Sequence, residues 1–389
     1  MQLKRTCVCS ACVVAMCFTL PLGMELYSAH SYKLNRIAEI SAVLTSGDYT
    51  GNKNNNSQQT QQQQSEVILL NEKAALCRES LIISDVGVQQ ENSAVKGKQI
   101  PTEKPSQEVL GLIKYPEKLE KHDGVISEYT YPRYTTAQYI DLSDGGQVRN
   151  NTTKPNSELA EQAKKQLPFT VDAKSEQPQV LIYHTHTTES FEPYERDFYD
   201  SSFASKTTDM SKNVVSVGNR ICSELEKAGI SYIHDTLVHD YPSYNDAYDS
   251  SRKTVSELLK KYPSVKVCLD IHRDGIQRAD GTRISPVATI NGKKAAQIMI
   301  ISGCDDGTMG MPNCMQNFIF ASKLQSQIES DNPTLTRPVL FDYRHYNQDL
   351  TTGSLLIEVG SHGNSIEQAQ YSGELVGRSL AKLLTKNRA

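Results

Sequence analysis

The segment VLIYHTHTTE, residues 180–189, decides the fold class of this chain. Its apolar half is long enough for a buried strand, and its polar half carries side chains fit for metal chemistry. From here to the C-terminus, short apolar runs alternate with helix-length amphipathic segments. This pattern is typical of an α/β domain with a mostly parallel or mixed sheet flanked by helices. The predicted strands are VLIYH (180–184), ISYIH (230–234), VKVCLDIH (265–272), QIMIISG (297–303) and SLLIEVG (354–360).

Predicted helices and turns connect these strands. Apolar residues recur on one face of a helix over residues 212–229, and a second helix is expected over residues 244–262. A last helix over residues 365–385 starts with capping-box spacing. The pair Asn291-Gly292 predicts a tight hairpin.

The chain begins with a segment that predicts membrane attachment. Lys4 and Arg5 precede an apolar run over residues 7–24 that is about long enough to cross a bilayer as a helix. We expect residues 1–45 to form an uncleaved transmembrane anchor and stalk. The N-terminus would lie in the cytoplasm and the rest of the chain outside the cell membrane. A cleaved signal peptide is the competing interpretation.

Three further segments follow the anchor. Residues 46–65 are rich in Gln and Asn, contain almost no apolar side chain and predict a flexible linker. Residues 66–178 give mixed helix and strand signals and are assigned to an accessory region without chemistry. Residues 179–389 form the predicted catalytic domain.

Charge and cysteine content exclude two classes of protein. The formal net charge of -4 offers no basic surface for a nucleic-acid backbone, so no nucleic-acid partner is expected. Of the nine cysteines, four lie in the N-terminal apolar run. The five that remain are scattered, which is not the pattern of a disulfide framework or a Cys-rich metal site.

Residues suited to a catalytic zinc ion follow or end three of the predicted strands. In an open α/β sheet, the carboxyl ends of strands converge on one site. A catalytic zinc takes three His, Asp or Glu ligands and leaves one position open. His186, Glu189 and His272 are the predicted Zn²⁺ ligands. Glu358 is the predicted catalytic general base, because a carboxylate inside an apolar strand is costly to bury without a role.

Other polar residues remain open in role. His184 lies two residues before His186, so on an extended backbone both rings face one side, and His184 is the alternative ligand or a substrate contact. Arg273 and Asn347 are candidate substrate-binding residues. The segment HDTLVHD, residues 234–240, could shape a substrate cleft, bind a second metal or form a polar surface loop.

Longer motifs resemble a known family. YHTHTTESF, HDTLVHDYPSYNDAY, LDIHRDGI and YNQDLTTGSLLIEVGSHGNSIEQA are similar to the stage II sporulation protein P family of endospore-forming bacteria. The resemblance covers residues 179–389. It implies a zinc-dependent N-acetylmuramoyl-L-alanine amidase with possible endopeptidase activity, which degrades septal peptidoglycan during engulfment. It further implies two partners, the lytic transglycosylase stage II sporulation protein D and stage II sporulation protein M.

The resemblance also assigns the site residues, with one departure. His186 corresponds to the first zinc ligand, His272 to the later one and Glu358 to the catalytic carboxylate. The related amidases take their acidic ligand from just before the first helix, where this chain reads TTDMSKNVV without a glutamate. Glu189 is therefore inferred from its His-x-x-Glu spacing, and Asp209 is the alternative.

Two other functions compete with amidase activity. A zinc carboxypeptidase-like enzyme acting on stem peptides would share the His-x-x-Glu pair, the later His and the catalytic Glu. A metal-free protein that binds or scaffolds the cell wall would share only the fold.

Overall fold

The computed structural model describes residues 96–386, which lie within one compact unit. The predicted anchor, the Gln/Asn-rich linker and the first part of the accessory region fall outside the described residues. Within residues 96–386, no helix is long and apolar enough to span a bilayer.

Thirteen strands and six helices are defined within the described residues. The strands are β1 Gln99–Ile100, β2 Gly124–Tyr129, β3 Tyr139–Asp141, β4 Gln147–Asn150, β5 Val180–Tyr183, β6 Phe198–Tyr199, β7 Tyr232–His234, β8 Val267–Asp274, β9 Arg283–Ile290, β10 Lys293–Ala296, β11 Ile298–Cys304, β12 Val339–Tyr343 and β13 Ser354–Ser361. The helices are α1 Gln107–Leu110, α2 Asn156–Lys164, α3 Val214–Lys227, α4 Ala247–Lys261, α5 Cys314–Asp331 and α6 Ile366–Lys386.

Nine strands form the main sheet in the order β1-β7-β5-β8-β13-β11-β12-β4-β3. The five predicted strands occupy its centre as β7, β5, β8, β13 and β11. All neighbours pair in parallel except β13 with β11 and β4 with β3. The fold is therefore a mixed α/β sheet flanked by helices, as predicted.

A second sheet of four strands has the order β10-β9-β2-β6. Strands β1, β3 and β4 of the main sheet and β2 of the second sheet come from the predicted accessory region. Strands from this region therefore pair with strands of the predicted catalytic domain. The Asn291-Gly292 hairpin is confirmed: both residues have positive φ (51° and 76°) and join β9 to β10.

Side-chain alternation divides the main sheet into two unlike faces. Val180, Leu269 and Ile357 point to the face that α3, α5 and α6 cover with the largest hydrophobic core. Leu181 and Cys268 point to the other face, where Val255 of α4 packs on them. Polar residues of β8 and β13 share this second face, so α4 stands beside the candidate site.

The predicted helices are confirmed, with ends shifted by a few residues. In α6 the capping box forms, because Ser365 N donates to Gln368 Oε1 and Gln368 N donates to Ser365 Oγ, both at 3.2 Å. Helix α5 was not predicted. Buried residues occur all round it, so its sequence lacks the amphipathic period by which helices are recognised.

Candidate metal and catalytic centre

The centre lies where the carboxyl ends of β5, β8 and β13 meet. Asp270, His272 and Asp274 alternate along β8 and face the same side of the sheet. Glu358 of β13 stands in register beside His272, because the two strands are parallel and these residues are direct neighbours. The predicted catalytic carboxylate and a predicted ligand are thus brought together by strand pairing.

The loop after β5 brings the other two predicted ligands to His272. Strand β5 ends at Tyr183, and the chain turns through residues 185–188, so the extended alternation stops before His186. The ring centroid of His186 lies 5.2 Å from that of His272. Glu189 Oε2 lies 3.6 Å from His272 Nδ1. The three predicted ligands therefore form one cluster, nearly shielded from solvent.

Asp270 lies behind His272 and was not predicted as a site residue. Its carboxylate accepts hydrogen bonds from Thr185 N at 2.8 Å and Thr185 Oγ1 at 2.6 Å. Asp270 Oδ1 is also 2.8 Å from His272 Nε2, although the ring N–H does not point straight at it, so this contact is an ion pair rather than an aligned hydrogen bond. Asp270 fixes the ring so that Nδ1 faces Glu189.

The charges in this cluster are unbalanced toward the negative. Burial opposes a charged ring at His272, yet the surrounding carboxylates, chiefly Asp270, raise its pKa to about 10. Burial raises the pKa of Glu358 to about 8, and the nearby Asp274 carboxylate adds to this effect. Burial likewise raises the pKa of Glu189. Such a group of buried carboxylates attracts either protons or a metal cation.

The residues present fit a zinc ion in part. Two ligands of one tetrahedral zinc at about 2.0–2.1 Å lie about 3.4 Å apart, close to the 3.6 Å between Glu189 Oε2 and His272 Nδ1. Glu358 Oε2 is buried and has no hydrogen-bond partner among the described residues, which leaves it available to a water molecule. Across residues 96–386, no group of three or more His, Cys, Asp or Glu side chains stands arranged to hold a metal ion. Zinc binding is therefore not shown by the structure.

Aromatic side chains from α4 and the turn before it wall the cluster. The Tyr244 ring stacks on His186, with centroids 4.2 Å apart and planes at 8°, and remains 37% exposed. Tyr248 lies deeper, in an edge-on contact with His186 at 5.5 Å. Two aromatic residues four apart at the start of a helix were the available sequence signal. This wall limits water access on one side of the cluster.

Comparison with known proteins decides the family. Residues 48–381 match the family described as stage II sporulation protein P. The chain belongs to this family. It is 33% identical over 202 residues to the stage II sporulation protein P of Bacillus subtilis (strain 168), an alignment that covers 49% of this chain and 47% of that protein. The chain thus spans about half the length of the curated relative that it matches.

Solved structures give a weaker likeness. The CwlD amidase from Clostridioides difficile, determined in complex with the GerS lipoprotein, is 10% identical, with a TM-score of 0.35 and coverage of 54% of this chain and 100% of that chain. The N-acetylmuramoyl-L-alanine amidase AmiC2 of Nostoc punctiforme is 12% identical, with a TM-score of 0.32 and coverage of 54% and 96%. At these TM-scores the similarity to the solved amidase structures supports no conclusion about this chain.

His184 is not brought to the cluster. It continues the alternation of β5 and lies on the opposite face, where it is buried. Its Nδ1 donates to the carbonyl of Ile271 at 3.0 Å, so Nε2 of the neutral ring accepts from His234 Nε2 at 2.9 Å. Burial lowers the pKa of His184 to about 3 and that of His234 to about 4, which keeps both rings neutral.

The rest of the segment HDTLVHD supports the ligand loop. Asp240 accepts from Thr188 N at 3.1 Å and from Thr188 Oγ1 at 2.6 Å. Asp235 Oδ2 lies 2.9 Å from His239 Nε2, and both residues are buried. The segment is therefore a buried support for residues 184–189 and not a polar surface loop.

The Arg273 side chain forms hydrogen bonds with backbone carbonyls. Its guanidinium donates to the carbonyls of Ser190 and Ser205, each at 3.0 Å, and the backbone N–H of Arg273 donates to Glu189 Oε2 at 3.0 Å. Arg273 therefore holds the loop that carries Glu189, and its guanidinium donates to backbone carbonyls there. Asp209, the alternative acidic ligand, is exposed and accepts from Ser211 N and Oγ, away from His272.

Asn347 fastens the segment before β13 to α4. Its amide donates to the carbonyl of Tyr248 at 3.0 Å and to Ser251 Oγ at 3.2 Å. Asn347 and Tyr346 both have positive φ, 56° and 45°, in the left-handed region that costs free energy for such residues. Asn347 thus holds the start of α4, with Tyr248, beside the cluster.

Proposed function

We propose that this chain is a zinc-dependent peptidoglycan hydrolase that cleaves the amide bond between N-acetylmuramic acid and the stem peptide. Membership of the stage II sporulation protein P family supports a role in sporulation. The observation that carries the enzymatic proposal is the 3.6 Å spacing of Glu189 Oε2 and His272 Nδ1, with Glu358 beside them in register. In this proposal these two atoms are zinc ligands, and Glu358 is a separate base beside them.

Each residue of the cluster receives a role from its contacts. His186, Glu189 and His272 would hold the ion through His186 nitrogen, Glu189 Oε2 and His272 Nδ1. Asp270 would keep the His272 ring in orientation through its contact with Nε2. Zinc bound there would polarise the scissile carbonyl and acidify a water molecule.

Glu358 does the proton transfer in this proposal. Its Oε2 has no hydrogen-bond partner among the described residues, so it can take a proton from the attacking water. Burial raises the pKa of Glu358 to about 8, which suits a group that must also give the proton back. The proton then passes from Glu358 to the leaving amide nitrogen, and the carboxylate is restored. A buried cation beside Glu358 would lower its pKa and favour the basic form.

Location and partners are part of the proposal. Peptidoglycan as substrate requires the catalytic domain outside the cytoplasm, which the predicted N-terminal anchor would achieve at the cell membrane. Stage II sporulation proteins D and M are the proposed partners. Fractionation of sporulating cells and co-purification from their membranes test these two points separately from activity.

Digestion of purified peptidoglycan by the full-length protein tests the activity. Amidase cleavage predicts new α-amino groups on L-alanine and free lactyl groups on muramic acid, both dependent on zinc. Shortened stem peptides without free lactyl groups would instead indicate a carboxypeptidase. Intact walls after incubation with zinc-loaded protein would support the wall-binding scaffold and contradict the proposal.

A further inference from the structure

Lys206 lies on a segment that runs beside the predicted zinc ligands. It pairs with Glu189 in an isolated antiparallel β-bridge. Its ammonium nitrogen Nζ stands 3.9 Å from the centroid of the Tyr244 ring. The same ring stacks on His186, with the two centroids 4.2 Å apart. One cation–π contact and one ring stack therefore connect this ammonium group to a predicted ligand.

The ammonium group of Lys206 has no anionic partner in the part of the chain that the structure describes. Its contact there is the Tyr244 ring, and no carboxylate oxygen of residues 96–386 lies within 4.0 Å of Nζ. The side chain is only half-buried, so Nζ can meet a group that arrives from solvent. A cation–π contact leaves the N–H groups that point away from the ring able to donate.

The other basic side chains around the centre are already occupied. They are Arg273 with two backbone carbonyls, Arg283 with Glu192, Arg337 with Asp274 and Arg344 with Asp342. Arg337 keeps two nitrogens without a hydrogen-bond partner among the described residues, but those atoms are buried. Of these basic residues, Lys206 is the one placed to bind an anion from solvent.

We propose that Lys206 binds the α-carboxylate of the second residue of the peptidoglycan stem peptide. The inference rests on the proposed function, because that function identifies the substrate. The second stem residue is a glutamate linked through its side-chain carboxyl group, so its α-carboxylate is free unless it is amidated. In an extended peptide this group follows the scissile carbonyl by two residues, or about 7 Å. That length suits a cation separated from a zinc ligand by one aromatic ring.

The charge of the centre gives this contact a use. Glu189, Glu358 and Asp274 surround the centre with carboxylates, which repel an anionic peptide. Lys206 at the rim would offset this repulsion and hold the peptide on the leaving-group side of the scissile bond. Because the contact is partly exposed, we expect it to change kcat/KM by about fivefold at low salt and by less at high salt.

Cleavage of a matched pair of soluble substrates by the full-length, zinc-loaded protein tests the inference. Both substrates are disaccharides that carry a stem tripeptide, and the glutamate α-carboxylate is free in one and amidated in the other. The wild-type protein should prefer the free acid by about fivefold in kcat/KM, chiefly through a lower KM. Lys206→Met should lose this preference, and Lys206→Arg should keep it. No preference in the wild-type protein, or an undiminished preference in Lys206→Met, would overturn the inference.

Lys212→Met is the matched control. Lys212 lies on the same segment, is half-buried and places its Nζ 5.9 Å from the centroid of the Tyr115 ring, which packs on Phe203 and not on His186. Its replacement should leave the preference for the free acid unchanged. An equal loss of preference in Lys212→Met and Lys206→Met would assign the effect to net charge and overturn the inference.

Binding separates this inference from the proposed function. If the wild-type protein cleaves neither substrate, the proposed function fails, and its affinity for both compounds is measured by isothermal titration calorimetry. Tighter binding of the free acid by about fivefold, lost in Lys206→Met, would support the carboxylate site without catalysis. Equal or absent binding of the two compounds by the wild-type protein would overturn it.

Discussion

The contact behind His272 offers the sharpest test of how the centre is built. Asp270 is fully buried, and its oxygens accept from Thr185 N at 2.8 Å and Thr185 Oγ1 at 2.6 Å while Oδ1 lies 2.8 Å from His272 Nε2. Asp270→Asn keeps the shape but turns one acceptor into a donor. In either orientation the amide removes the negative charge beside His272, and its N–H group replaces the oxygen that accepts from Thr185 N or the one that accepts from Thr185 Oγ1.

The expected losses of zinc affinity and of stability follow from these changes in charge and hydrogen bonding. If Asp270 orients a metal ligand, its replacement weakens zinc binding by about 10- to 100-fold, which is about 1.4–2.7 kcal/mol of binding free energy. One broken hydrogen bond to a charged group costs stability by about 1.5–3 kcal/mol as well. Thr185→Val is the matched control, since it removes the hydroxyl contact but leaves the carboxylate beside His272. It should lower Tm and keep zinc affinity within about threefold.

The assay is a competition titration with a chelating zinc indicator on both variants, with Tm measured in parallel. Asp270→Asn with wild-type zinc affinity would refute the positioning role of Asp270. Equal losses of zinc affinity in Asp270→Asn and Thr185→Val would refute it too, because the effect would then belong to the loop and not to the carboxylate.

Three further outcomes follow from the same contacts. Gly218→Ala should lower Tm strongly, because the new Cβ would meet His234 Nε2 at 2.6 Å, whereas Gly275→Ala, with no atom within 4 Å, should leave Tm nearly unchanged. Burial lowers the pKa of His234 to about 4 from an unfolded value near 6.5. The free energy of unfolding should therefore fall as the pH drops from 6.5 toward 4. In unfolding experiments at a series of pH values, His234→Gln should show a smaller fall. His186→Ala should lose zinc and wall cleavage but stay folded by circular dichroism. His184→Ala should mainly lower Tm, because it removes the hydrogen bond with His234. Retained zinc in the His186 variant would contradict the assignment of His186 as a ligand.

Much of the sheet could be predicted because its central strands are buried on both faces. Such strands have continuous apolar sequences. The runs over residues 180–184 and 354–360 could therefore be recognised without knowledge of the neighbouring strands. Helix α5 escaped prediction because it is buried on most sides and shows no amphipathic period. The pairing of β3 and β4 with the main sheet also escaped, since long-range pairing leaves no local pattern.

The site was predictable where strand geometry decides it and not where a turn does. Glu358 and His272 end up side by side because parallel strands bring their carboxyl ends to one edge. The expectation that His184 and His186 face one side depended on an extended backbone, but β5 ends at Tyr183. Asp270 was missed, although its position two residues before His272 on one strand placed it on the same face.

Zinc content and wall cleavage measured on one sample of Glu358→Gln test the central claim most directly. The amide keeps the size of the side chain but cannot accept the proton, and a positioned general base contributes about 10² to 10⁴ in rate. Because Glu358 is a base and not a ligand in this account, the variant should retain one zinc ion per chain while cleavage falls by that factor. Loss of the zinc ion would make Glu358 a ligand, and cleavage near the wild-type rate would end its role as the base.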